Sequence, residues 1–307
     1  MKKTLFIVHI IFFSIAAKAQ TTLMHAIDLL QQKKYIAALD ICNRLLDKST
    51  DNPSVFGVRS QIYTAMGKYD LAIQDADHAL SIDKTSATGN YAKAEALFYG
   101  KKDYRQALQY YNAAIRSNRQ MSEAYAGKAL VNMAMQKYKE AMIIIEEAIQ
   151  KSFNNEPELH YVRGLLNYQR GKYKLAIDDY DWVLVISANW NNYQVFLNRG
   201  IAYHAFGKPD HAVQDITKAI TIDPNNVSGY IARGNVLYQI AEYRDAIEDF
   251  KKAEILNPEE NSVNTYNIGM SYYKLGDKTL ACKYFQKSCF QNNKNACKML
   301  IMNCSGK

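Results

Sequence analysis

Apolar, small and helix-ending positions recur along this chain at a nearly constant interval, and the stretch from Val227 to Glu260 shows the pattern at its fullest. There Tyr230, Arg233, Gly234, Tyr243, Ala246, Phe250, Ala253 and Pro258 occupy positions 4, 7, 8, 17, 20, 24, 27 and 32 of a 34-residue unit. Eight copies can be laid over one another, running approximately 19–52, 53–86, 87–121, 122–155, 157–190, 193–226, 227–260 and 262–295.

By the resemblance that these positions carry, each copy would be two antiparallel helices, A and B, which cannot bury their apolar faces alone, so stability must come from stacking copy on copy. Glu156, Asn261 and the pair Asn191 and Asn192 fall in turns between copies, where insertions are easily accommodated. The third copy has one extra residue near Gly100 to Asp103, between its own two helices. Asp223, Pro224 and Asn225, and again Asn257 and Pro258, punctuate helix ends.

The small positions mark where backbones approach. Position 20 is Ala in all eight copies (Ala38, Ala72, Ala107, Ala141, Ala176, Ala212, Ala246, Ala281), as a crossing of helix B over helix A requires. Position 8, opposite it, is also small: Ala26, Ser60, Ala94, Ala129, Gly164, Gly200, Gly234 and Gly269. Tyr opens helix B at position 17 six times, with Pro209 and Lys278 as the exceptions; proline is tolerated in a first helical turn. Taken together, these residues closely resemble the tetratricopeptide repeat. The resemblance implies an all-α fold, a right-handed α-solenoid of about eight helix hairpins. Ala296 to Cys304 then reads as a short capping helix that covers the open end of the stack, within a final segment 296–307.

A second pattern appears when the copies are superimposed. Arg stands at position 7 in four of them (Arg59, Arg163, Arg199, Arg233), and the same four carry Asp at position 23 (Asp75, Asp179, Asp215, Asp249). Position 7 lies on helix A and position 23 on helix B, which predicts partly buried Arg–Asp pairs, within a repeat or between neighbours.

In tetratricopeptide proteins the concave surface is usually lined by helix A positions 2, 5, 9, 12 and 13. The partner-binding candidates that the resemblance places there are Tyr91, Phe98, Tyr99, Tyr161, Tyr168, His204, Asn235, Tyr238, Tyr266 and Tyr273; Leu130, Met133, Leu165, Gln169, Leu197, Ile201, Ile231, Gln239, Met270 and Lys274 fall at the same lining positions. The groove therefore reads as aromatic and amide-rich, with very little charge. Asn235 lacks the basic neighbours with which chaperone-binding members clamp a terminal carboxylate. Rigid tyrosines suit an extended peptide or an apolar helix, so the expected partner is a protein segment. Aromatic rings with Asn and Gln also suit sugars, which leaves a carbohydrate or peptidoglycan binder as the alternative.

Composition adds an address. Lys2 and Lys3, an apolar run from Leu5 to Ala17 and the Ala17, Lys18, Ala19 cleavage pattern read as a signal peptide, 1–19, leaving repeats from residue 20 to 295. The 13-residue run is short for a membrane span, so no integral membrane segment is expected after cleavage, and a periplasmic or envelope-associated location is. Of the net charge of +8, Lys2, Lys3 and Lys18 account for three, which leaves +5. That modest excess argues for no nucleic-acid partner.

Four of the five cysteines crowd the C-terminus at spacings of 7, 8 and 7: Cys282, Cys289, Cys297 and Cys304. In an antiparallel hairpin, facing residues have constant index sums, and the pairs Cys289–Cys297 and Cys282–Cys304 share one sum. Both disulfides are thus expected in one register, in keeping with an oxidising compartment. This end also resembles the cysteine-bearing Sel1-like repeat through Ala281, Cys282, Tyr284, Cys289, Ala296 and Cys297. A four-cysteine zinc site would need shorter ligand pairs. No cofactor, metal or catalytic arrangement is expected: the histidines are dispersed, no glycine-rich phosphate loop is present, and the Asp178, Asp179, Asp181 cluster reads as a solvated helix face with one pairing residue.

Overall fold

The structure is a computed structural model that describes residues 21–48, 51–151, 156–187, 192–258 and 261–304. The expected signal peptide, 1–19, lies outside the described residues. Among those described there are helices and no strand. They are α1 (21–31), α2 (Tyr35–Lys48), α3 (Pro53–Ala65), α4 (Tyr69–Ile82), α5 (Ala87–Ala96), α6 (Tyr104–Ser117), α7 (Ser122–Ala134), α8 (Tyr138–Gln150) and α9 (Pro157–Gln169). The chain continues through α10 (Tyr173–Ile186), α11 (Asn192–Ala205), α12 (Pro209–Ile222), α13 (Val227–Gln239), α14 (Tyr243–Leu256), α15 (Ser262–Lys274), α16 (Lys278–Phe290) and α17 (Lys294–Cys304). Two compact units are present, one reaching to Val162 and the other starting at Arg163, so that α9 contributes to both.

Every B helix begins on the position-17 residue, because the turn before it is built on one plan, with the third repeat as its one variant. Gly67 N–H bonds to Thr64 O at 3.0 Å and Lys68 N–H reaches back to Tyr63 O at 2.8 Å, the six-to-one closure of a Schellman end. The residue between must adopt a left-handed backbone. Gly67, Gly171, Gly207 and Gly276 do so at no steric cost, whereas Lys33, Lys102, Gln136 and Ala241 do so with a Cβ. Ala241, at φ 66°, has no side-chain group to offset that strain. Ala241→Gly is therefore expected to stabilise the α13–α14 hairpin by about 0.5–1 kcal/mol, measured as a rise in the urea midpoint.

The extra residue of the third repeat, expected near Gly100 to Asp103, is absorbed at the end of the A helix. Rather than lengthening the loop, it is taken up in a π-helical turn, Leu97–Lys101, that closes α5. The closing bond correspondingly spans one more residue, from Asp103 N–H to Leu97 O at 3.1 Å. This turn lays Gly100 on Tyr69, where a Cβ would fall 2.4 Å from the ring. It also carries Tyr99, which is 46% exposed.

Packing follows the small positions. All eight position-20 alanines are fully buried, and Ser60 Oγ donates to Ala72 O at 2.7 Å across the crossing. The neighbour that keeps position 8 small is more often position 24. A Cβ on Gly164 would meet Tyr180 at 2.6 Å, on Gly200 Ile216 at 2.7 Å, on Gly234 Phe250 at 2.8 Å and on Gly269 Phe285 at 2.8 Å. These large position-24 residues are fully buried or nearly so, and they fill the space that glycine vacates. In the third repeat Ala94 closes that space, and the Tyr111 ring lies instead over Gly127 of the next A helix.

At the C-terminal end α17 packs on α16 and is tied to α15. Tyr273 of α15 donates its hydroxyl to Asn303 Oδ1 of α17 at 3.2 Å, and α16 is joined to the start of α15 by Ser288 Oγ, which donates to Ser262 O at 2.6 Å. Cys282 and Cys304 stand with Cα atoms 5.6 Å apart, Cys289 and Cys297 with theirs 4.7 Å apart, and both sulfur pairs are at bonding distance. Cys42 is fully buried and free, and burial pushes its thiol pKa up to about 12. It is an inert core residue.

Candidate functional site

The four position-7 arginines are brought to their position-23 aspartates within the repeat. Arg59 Nε donates to Asp75 Oδ2 at 2.7 Å and Nη2 to Oδ1 at 2.8 Å, a two-pronged pair repeated by Arg199 with Asp215 and by Arg233 with Asp249. Arg163 places two nitrogens on Asp179 Oδ1, while Asn167 Nδ2 donates to Oδ2 at 2.9 Å. The third nitrogen has a separate task. Arg59 Nη1 reaches Asn43, Arg199 Nη1 reaches Asp181 and Arg233 Nη1 reaches Thr217, at 2.6–3.0 Å. Each of these is position 25 of the preceding repeat. One guanidinium thus joins its own B helix to the one before, which uses the fixed fork that lysine lacks. The hydrogen bonds to aspartate hold Arg59 and Arg233 above the usual arginine range. These pairs are structural.

Lys93 shows what happens where the arginine is missing. It still pairs with Asp77 at position 25 of the preceding repeat, but position 23 of its own repeat is Tyr110, and the ammonium lies 4.7 Å from that ring's centroid. The acidic cluster on α10 is dispersed in the same way: Asp178 goes to Lys174, Asp179 to Arg163 and Asp181 to Arg199. No group of three or more His, Cys, Asp or Glu among the described residues could hold a metal ion.

On the second unit, positions 5, 9 and 12 of two successive A helices converge. Ile201 and His204 of α11 and Ile231 and Asn235 of α13, with Ser228, Ala232 and Val236, line a cleft of about 330 Å³. Asn235 is exposed and His204 half-buried. Tyr168 and Tyr238 stand at position 12 of their own helices, each packed by its ring on the position-17 tyrosine of the same hairpin. Centroids are 5.5 Å apart for Tyr168–Tyr173 and 5.4 Å for Tyr238–Tyr243. The contact fixes the ring and leaves part of it open; burial raises the hydroxyl pKa of both. Tyr266 and Tyr273 are half-buried against Phe285, with centroids 6.0 and 6.5 Å away, and Tyr273 is further engaged by α17.

On the first unit the candidates separate. Tyr91 is only 8% exposed and packs on Tyr111 at 5.9 Å, so most of its ring is core. Phe98 packs between Tyr99 and Tyr104. Tyr161 is half-buried. The expectation of a groove with very little charge is overturned here. Glu95 on α5, Glu123 on α7 and Glu158 on α9 all fall within electrostatic reach of one another, amid Tyr91, Tyr99 and Tyr111. They occupy positions 9, 2 and 2 of three consecutive repeats, lining positions at which the expected groove held no acid.

Comparison with known proteins places these helices in context. Tetratricopeptide repeat family models match residues 54–86, 98–166, 193–226 and 265–288, together more than half of the chain. An Hsp70-Hsp90 organizing protein of Triticum aestivum is 24% identical over 237 residues, which covers 72% of this chain and 38% of that relative. The chain therefore spans well under half the length of this curated relative. Among solved structures, one described as the APC/C hetero-tetramer Cut9-Hcn1 is similar with a TM-score of 0.77 and 14% identity, over 92% of this chain and 55% of that one. PilW, described as a type IV pilus biogenesis factor, is similar with a TM-score of 0.64 and 16% identity, over 70% of this chain and 98% of its own. At these identities the structural likeness shows the fold alone.

Proposed function

As the chain belongs to the tetratricopeptide-repeat family, we propose that it is a non-catalytic scaffold or assembly factor of the cell envelope, which binds an extended or helical segment of a partner protein along its A helices. The observation that carries this reading is the cleft between α11 and α13. Two apolar side chains, Ile201 and Ile231, line it beside a polar pair, His204 and Asn235. A peptide backbone laid there would bury side chains on the isoleucines and exchange hydrogen bonds with the amide and imidazole. The flanking tyrosines are held by ring contacts, so little rotamer freedom is lost on binding.

An envelope address is supported by the signal-like residues 1–19 and by the two cysteine pairs at bonding distance, since disulfides persist in oxidising compartments. No described helix is long and apolar enough to cross a membrane. Disulfides at both pairs would hold α17 in place as a cap on the last hairpin.

Photo-crosslinking in cells tests the reading. A photoreactive residue at position 168 or 238 is expected to trap one discrete protein, and the same residue at exposed Lys252 on α14 is not. Ile231→Asp, which sets a charge in the cleft, should abolish the adduct. Glycan adducts from 168 and 238 would transfer the function to cell-wall binding; equal trapping from 252 would place the partner elsewhere.

A further inference from the structure

The three glutamates of the first unit come from different hairpins. Glu95 lies at the end of α5, and Glu123 and Glu158 stand in the first turns of α7 and α9. Glu156 adds a further negative charge at Glu158. Among the described residues none of the three glutamates forms an ion pair, and the nearby cations are turned to other acids: Lys93 pairs with Asp77, while Lys128 faces Glu147 and Lys151. The walls are phenolic. Tyr91 stands one helical turn before Glu95 and within electrostatic reach of it, exposed Tyr99 lies within reach of Glu95, Glu158, Tyr161 and Tyr69, and Ser122 Oγ makes a long contact to Glu123 at 3.5 Å.

A separate feature lies beneath them. Tyr111 is fully buried and its hydroxyl has no hydrogen-bond partner. The hydroxyl is pressed against Gly127, where a Cβ would fall 2.6 Å from it, and is within electrostatic reach of Glu95, Tyr99 and Glu158. A buried hydroxyl without a partner is unusual enough to require a reason. It lies below an acidic, aromatic surface with its O–H and its oxygen lone pairs both unmatched, and an N–H donor reaching it would satisfy the oxygen.

We propose that Glu95, Glu123 and Glu158, with Tyr91, Tyr99 and Tyr111, form a site for a lysine or arginine side chain of the partner segment, a proposal that rests on the peptide-binding reading above. The carboxylates surround the cation, the rings lie along its aliphatic stem, and the Tyr111 hydroxyl accepts one of its N–H groups. Acids on three helices with tyrosine walls suit an extended organic cation better than a metal ion, which needs oxygens converging on one point.

The site carries a pH signature. Burial, helped by the neighbouring acids, pushes Glu95 up to about 7 and Glu158 up to about 8. With no cation bound, both hold protons below those values. A bound cation favours the ionised forms, so binding releases protons and tightens as pH rises from 6 to 8.5.

The test titrates the full chain with an otherwise neutral peptide carrying two lysines and with its acetyl-lysine twin, at pH 6 and 8.5, by calorimetry in two buffers of different ionisation enthalpy. The lysine peptide is expected to bind about tenfold more tightly at pH 8.5, with proton release, and the acetylated twin to show no binding. Glu95→Gln with Glu158→Gln keeps the size of the side chains, as unchanged helicity would verify, and should remove both the tenfold gain and the proton release. Equal binding by the twin, or unchanged binding by the double variant, would overturn the proposal. So would absence of lysine-peptide binding at pH 8.5, and so would spermidine or calcium binding as tightly as the peptide. If crosslinking from position 238 still traps its protein when this site fails, the scaffold reading stands and only the cation site falls.

Discussion

Arg199→Met is expected to lower the stability of the second unit by about 3–5 kcal/mol, the range found when one member of a buried ion pair is removed. The side chain holds Asp215 with two nitrogens and Asp181 with a third, and Asp215 is only 3% exposed. Without the guanidinium, the Asp215 carboxylate is left in the core with Lys218 at 4.0 Å as its remaining cationic neighbour. Asp181, whose side chain is 45% exposed, loses little because water replaces the partner. Arg199→Met combined with Asp215→Leu should therefore cost much less than Arg199→Met alone, since no buried charge is stranded. Repeat arrays unfold in parts, so the informative measurement is amide exchange across α11 and α12 beside the urea midpoint. Additive losses would mean that the two residues do not act as a pair. Arg199→Lys is a stringent companion: it keeps the charge and loses the fork, and should retain at most one of the two links.

The second large effect concerns the C-terminus. Cys282→Ser with Cys304→Ser removes a cross-link that closes a sequence separation of 22, and is expected to lower stability by about 3 kcal/mol. The loss should be local. Beyond its bonds to α15 and α16, α17 buries little, with Ala296 as its buried residue and Ile301 and Met302 left exposed. Exchange protection of α17 should therefore collapse while α11 to α14 keep theirs. A reducing agent should reproduce the effect in the parent and leave the variant unchanged. Thiol counting in denaturant without reductant should find one free cysteine, Cys42. Five free thiols would overturn the covalent cap.

The repeat register was legible because two backbone contacts recur. Ala at position 20 and a small residue at position 8 are demanded wherever helices A and B cross, whatever the rest of the hairpin does. The Arg–Asp coupling was legible for a similar reason: a buried charge needs its partner, so the two residue types rise and fall together across copies. Sequence could not decide whether that pair lay within a repeat or between neighbours. Both are true of the arginine: its aspartate is intra-repeat, while the third nitrogen bonds to the preceding repeat at a position held in turn by Asn43, Asp181 and Thr217. Those residues share the ability to accept a hydrogen bond and no common identity, so no pattern marked them.

The groove was the less legible part. Tyr91 is mostly core and Tyr273 is engaged by the last helix, although both stand at lining positions. Glu95, Glu123 and Glu158 look like ordinary solvated acids one repeat at a time. Only stacking brings them together, because residues about 30 apart in sequence become neighbours when A helices lie side by side. The chain by itself thus determined what local and periodic constraints enforce: helices, turns, the crossing points and the cysteine register. Tertiary structure alone decided which faces stay open, how the third repeat absorbs its extra residue as a π-turn, and where three acids share one field, because burial and long-range electrostatics depend on neighbours that no single repeat contains.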